Sequence, residues 1–202
     1  MLSASQLSFE RYFEPVFKPV SFDLGAGELL LVTGSNGCGK TTLIRVLAGI
    51  LYPSAGSFEA RAAHTAYVGH YLAIKDDLSV TENLRFVRGF MGTSTRSVGK
   101  VIEIVGLTRV AAQQARTLSA GQRKRCALAR LLLSQAELWL LDEPYSNLDI
   151  NGIALVDRLL REHLGDGGDG VDHDHPGERQ RAGPGDDRRQ VGGRRDRAES
   201  CL

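Results

Sequence analysis

One segment restricts this chain more than any other. Gly34-Ser35-Asn36-Gly37-Cys38-Gly39-Lys40-Thr41 fits the pattern GxxxxGK[ST], with Thr42 next in line. It follows a short apolar run, Glu28 to Thr33, and precedes Lys40 to Leu51, where Leu43, Val46, Leu47 and Ile50 recur at helical spacing. Strand, glycine loop and helix give the motif its physical meaning. Glycines let the backbone wrap an anion, so that several N–H groups and the helix N-terminus point at it. Lys40 adds the charge that follows β and γ phosphates, and the Thr41 hydroxyl suits Mg²⁺. A plain glycine-rich turn leaves the Lys40-Thr41 pair unexplained. Gly34 to Thr42 are therefore the candidate ATP-binding residues, and the chain is expected to be α/β.

The remaining pattern supports that class. Gln6 to Phe9 and Phe13 to Phe22 read as strands, the second with Pro15 and Pro19, which favour a sheet edge. Further strands are expected at Ser57 to Ala60, Thr65 to Gly69 and Leu138 to Leu141. Helices are expected at Ser79 to Met91, Arg96 to Val105, Gly121 to Ser134 and Ile150 to Leu164. This alternation predicts a P-loop NTPase (RecA-like) core with a mainly parallel sheet, an antiparallel β lead-in and a helical insertion at about residues 75–115. A length of 202 residues with 42% hydrophobic content suffices for one core. The net charge of +1 offers no broad face for nucleic acid. The apolar runs Leu29 to Val32 and Leu138 to Leu141 are far shorter than the roughly 20 residues of a membrane span. The first residues carry no export signal, and Cys38, Cys126 and Cys201 lack metal or disulfide spacing, so a cytoplasmic setting is expected.

A phosphate loop alone does not separate kinases, GTPases and transport ATPases. Leu138-Trp139-Leu140-Leu141-Asp142-Glu143 adds a buried strand ending in two acids. Asp142 at a sheet's carboxyl edge can hold Mg²⁺, and Glu143 is placed to polarise an attacking water. Leu118-Ser119-Ala120-Gly121-Gln122 opens a helix and resembles the LSGGQ signature of ATP-binding-cassette ATPases, with Ala for the first Gly. Ser146-Asn147-Leu148-Asp149 resembles their D-loop, in the family's order. The serine and amides at Ser119, Gly121 and Gln122 make a second phosphate cradle, while Lys40 already commands the first. The resemblance therefore implies a nucleotide-dependent homodimer in which each signature serves the neighbour's ATP, with Lys40 and Glu143 as the catalytic pair.

Gly69-His70, Leu78-Ser79-Val80-Thr81-Glu82-Asn83-Leu84 and the signature run Leu118 to Arg125 together look like the ATP-binding subunits of haem exporters in cytochrome c maturation. That resemblance covers residues 1–164. It implies a peripheral subunit on the cytoplasmic face of the bacterial inner membrane, energising integral-membrane permease subunits for haem export or for release of haem from its chaperone. Tyr12 stands near the place of an adenine-stacking aromatic in that family; the alternative is a strand aromatic packed in the core. His70 replaces the usual Q-loop glutamine, and is either a ligand of water bound to Mg²⁺ or a loop histidine without a ligand.

Composition changes abruptly after residue 164. The last 38 residues hold only Val171, Ala182, Val191, Ala198, Cys201 and Leu202 as hydrophobic residues, with no lysine and no aromatic. They read as a low-complexity, disordered tail, consistent with a frameshift near residue 165. The family's C-terminal strands and switch histidine are expected to be missing, with His173 and His175 as solvated tail residues, and hydrolysis to be impaired. A soluble non-transport cassette ATPase and a hydrolysis-defective remnant are the rival readings.

Overall fold

The computed structural model describes residues 2–91, 94–165 and 169–173. The chain opens with β1 (Leu2–Arg11) and β2 (Glu14–Leu24), an antiparallel hairpin in which Arg11 faces Glu14. Its two-residue turn, Tyr12-Phe13, has both residues at positive φ (55° and 65°), as the right-handed twist of hairpin strands demands. β4 (Ala55–Ala60) pairs with the other side of β1, giving the order β2-β1-β4. The proline-bearing strand β2 is thus an edge, where a missing N–H costs no ladder bond.

The second sheet is parallel and positions the site. It contains β3 (Leu29–Leu31), β5 (Thr65–Val68), β6 (Leu138–Asp142) and β7 (Asp169–His173), in the order β3-β7-β6-β5. β6 is buried along its whole length and serves two cores by strand alternation. Leu138 and Leu140 pack with β1, β3 and the helix α1 (Lys40–Leu47). Trp139 and Leu141 pack on the opposite face among helical residues. That face is covered by α2 (Val80–Met91), α3 (Val98–Ile104), α4 (Ala120–Ala129), α5 (Leu131–Ser134) and α6 (Ile150–Gly165).

Most expected elements stand where periodicity placed them, with three departures. The helix after the glycine loop stops at Leu47, because Gly49 turns the chain at φ +69°. The expected helix Gly121 to Ser134 is two segments separated at Arg130. The third departure is the largest. Residues 165–202 were expected to contain no strand, yet β7 lies between β3 and β6. Val171 is in register with Leu30 on one side and Leu140 on the other, and His173 with Asp142. The reason is topological: β6, α6 and β7 form one βαβ crossover, and the returning chain meets two open parallel edges. Backbone ladders on both sides order a segment whose side chains carry no strand pattern. His173 is the last residue of β7, a strand whose one apolar residue is Val171; His175 lies outside the described residues.

A proline at the centre of this ladder should therefore disrupt it. Val171→Pro is expected to lower the urea unfolding midpoint well beyond Val171→Ala, because alanine keeps the backbone N–H that proline removes. Equal midpoints for the two variants would contradict a sheet-bound β7.

Candidate nucleotide site

The glycine loop runs from the end of β3 into α1. Gly39, at the helix N-cap, has φ +93°, and a Cβ there would stand 2.8 Å from the Val16 carbonyl and 3.1 Å from Phe17. Both backbone angle and space require glycine. Lys40 folds back over the loop, its ammonium donating to the carbonyls of Gly34 and Ser35 at 2.9 Å each. Ser35, Asn36 and Gly37 are exposed, so the concave side of the loop is open to a ligand. Thr42 is half-buried on α1.

Across the sheet, the Thr41 hydroxyl donates to Asp142 Oδ1 at 3.0 Å, joining residues 101 apart in sequence. Asp142 is 1% exposed at the end of β6. A hydroxyl and a buried carboxylate form a set of hard oxygen donors of the kind Mg²⁺ takes, so these residues fit that ion. Glu143 follows, half-buried, with its backbone in the left-handed region at φ +51°. For a residue other than glycine this conformation costs on the order of 1–3 kcal/mol and persists only where surroundings enforce it.

The enforcing contacts come from two elements. The Glu143 carbonyl accepts from Ser146 Oγ at 2.9 Å and from the Ser146 amide at 3.1 Å. It also accepts from Lys124 Nζ at 2.8 Å. Lys124 was not among the candidate residues. The available signal was helical phase: Lys124, Leu128 and Leu131 fall on one stripe, and all three are buried.

The signature segment is a complete capping box. Ser119 Oγ accepts from the Gln122 amide at 3.2 Å, and Gln122 Oε1 accepts from the Ser119 amide at 2.9 Å. Gly121 lies against the D-loop: a Cβ there would stand 3.0 Å from the Asn147 carbonyl. Arg125 reaches both carboxylate oxygens of Asp149 at 3.3 Å, and Asp149 Oδ1 accepts the Gly152 amide at 2.8 Å near the start of α6. Among the described residues, the hydrogen bonds of Ser119 and Gln122 close on each other rather than on the glycine loop. One turn further, burial pushes the Cys126 thiol up to about 11, which makes it an inert core group.

Two outlying candidates are placed differently. Tyr12 sits at the hairpin tip and is 91% exposed, which overturns the alternative of a core strand aromatic: the two-residue turn lifts it off the sheet. His70 follows β5 and is exposed, its ring meeting the edge of Tyr71 at 5.7 Å.

These motifs can be compared with known proteins. Residues 17–146 match the family model described as ABC transporter. The chain belongs to the ABC transporter family. It is 50% identical to the cytochrome c biogenesis ATP-binding export protein CcmA of Xanthomonas axonopodis pv. citri (strain 306), across 83% of both chains. It is 44% identical to the protein of the same name from Rhodopseudomonas palustris (strain HaA2), across 83% of this chain and 88% of that one. A solved ATP-binding subunit of an ABC transporter superposes with a TM-score of 0.78 at 23% identity, covering 87% of this chain and 80% of that one, which shows the same fold. This ABC-type ATPase subunit has, among its described residues, no helix long and apolar enough to cross a membrane.

The glycine loop gives the sharpest prediction here. Gly39→Ala should abolish binding of a fluorescent ATP analogue while the far-ultraviolet circular dichroism is retained. Unchanged affinity would show that the backbone at Gly39 does not shape the site.

Proposed function

We propose that this chain hydrolyses ATP as a nucleotide-dependent homodimer and thereby drives integral-membrane permease subunits of a haem exporter in cytochrome c biogenesis, on the cytoplasmic face of the bacterial inner membrane. The observation that carries the reading is the Thr41–Asp142 hydrogen bond, which brings phosphate loop and acidic strand to one sheet edge with Glu143 beside them. The biological assignment rests on relatives named cytochrome c biogenesis ATP-binding export proteins. The exposed Phe86 and Phe90 of α2 supply an apolar face suited to a membrane partner.

In this reading, the loop amides of Gly34 to Gly39 and the start of α1 bind the phosphates, with Lys40 neutralising charge as it leaves its two carbonyl partners. Thr41 and Asp142 would hold Mg²⁺, which when bound offsets phosphate charge. Glu143 orients the attacking water and accepts its proton through a carboxylate fixed by the turn behind it. Tyr12 stacks on adenine, and His70 would hydrogen-bond water at the site. Ser119, Gly121 and Gln122 face the γ phosphate of the second chain. Burying ATP between two chains converts binding energy into closure.

The rival reading of a hydrolysis-defective remnant is separated from this one by turnover itself.

The test is Mg²⁺-dependent ATP turnover by the purified chain. Glu143→Gln should lower kcat by at least 100-fold while preserving ATP affinity and trapping an ATP-bound dimer on size exclusion. Lys40→Ala should instead lose ATP binding. ATP binding without turnover in the unmodified chain would favour the remnant, and turnover indifferent to Glu143→Gln would contradict the assignment.

A further inference from the structure

We propose that Lys124 is a positioning residue for hydrolysis: its buried ammonium holds the Glu143 backbone and ties the signature helix to the chain's own water-orienting carboxylate. The proposal rests on the reading of Glu143 given above. Three observations meet at this point. Lys124 is 2% exposed, and its Nζ donates to the Glu143 carbonyl at 2.8 Å. An ammonium is costly to bury unless its donors are used, so such a group is more than filler on an apolar stripe. Glu143 itself occupies a left-handed backbone position that a non-glycine residue adopts only under constraint.

The third observation is the extent of contact between α4 and the turn carrying Glu143. Gly121 lies against the Asn147 carbonyl, Lys124 bonds to Glu143, and Arg125 bridges to Asp149. The helix therefore grips the segment from Glu143 to Asp149 at three successive places. Its first turn carries Ser119, Gly121 and Gln122, which face the neighbouring chain's nucleotide in this account. Lys124 thus holds the Glu143 backbone from the same helix whose first turn carries those residues.

Lys124→Met keeps the length and apolar stem but removes the donors, whereas Lys124→Gln keeps a donor. The expected result is a roughly 10- to 100-fold fall in kcat for Lys124→Met with ATP affinity unchanged, and substantial recovery in Lys124→Gln. Ser146→Ala, which removes one hydroxyl from the same carbonyl, should lower kcat less, by roughly 3- to 10-fold, and keeps the question open to test if Lys124→Met unfolds. A wild-type kcat in folded Lys124→Met or in Ser146→Ala overturns the proposal. So does a loss of kcat and ATP affinity in parallel with melting temperature in both lysine variants, which is the signature of packing alone. If the unsubstituted chain has no turnover, the hydrolase reading itself fails; turnover sensitive to Glu143→Gln but not to these variants sinks only the role of Lys124.

Discussion

The fold depends on β6 being buried on both faces. A strand of five residues, Leu138–Asp142, is shielded by α1 and the antiparallel sheet on one side and by helices on the other. Leu138, Trp139, Leu140 and Leu141 contribute alternately to the two cores, so the strand has neither rotational nor register freedom. Its end is thereby fixed, and with it a carboxylate that burial would otherwise penalise heavily. Asp142 is held there by the Thr41 hydroxyl from the opposite side of the sheet's carboxyl edge. Position of the acidic strand and position of the phosphate loop are one structural fact.

From that fixed end the chain turns sharply. Glu143 takes a left-handed backbone conformation, as does Asn147 four residues later, and both lie in the segment gripped by α4. The left-handed backbone at Glu143 is sustained by donors from Ser146 and Lys124 rather than by local preference. The signature helix and the acidic turn therefore behave as one packed unit, with Arg125 and Asp149 at its outer margin. Glu143 is thereby mounted on the same packed unit as the start of α4.

Much of this was legible in the sequence, because the informative residues are those whose chemistry admits few uses. Gly34 to Thr41, Asp142-Glu143 and Ser119 to Gln122 are local patterns with mechanical reasons, and they lie on the expected strand ends and helix starts. What escaped detection required tertiary information. Lys124 sits between two arginines, and only the burial of its helical face distinguishes it from a surface cation. Tyr12 among aromatic neighbours read equally as core, until the hairpin turn exposed it. β7 was hidden most completely: Asp169 to His173 has no apolar alternation, and its order comes from the two neighbouring backbone ladders. Composition measures what side chains can bury; it does not measure what an unfilled gap in a sheet can recruit.

The claim that phosphate loop and acidic strand form a single unit is tested most directly by a double-mutant cycle on Thr41 and Asp142, read as kcat/KM for Mg²⁺-ATP. Thr41→Val and Asp142→Asn should each reduce kcat/KM strongly, and the double variant should be little worse than the more damaged single variant, because both remove one shared arrangement. Losses that multiply independently would mean that the two side chains act separately, and that the hydrogen bond joining them does not build the site.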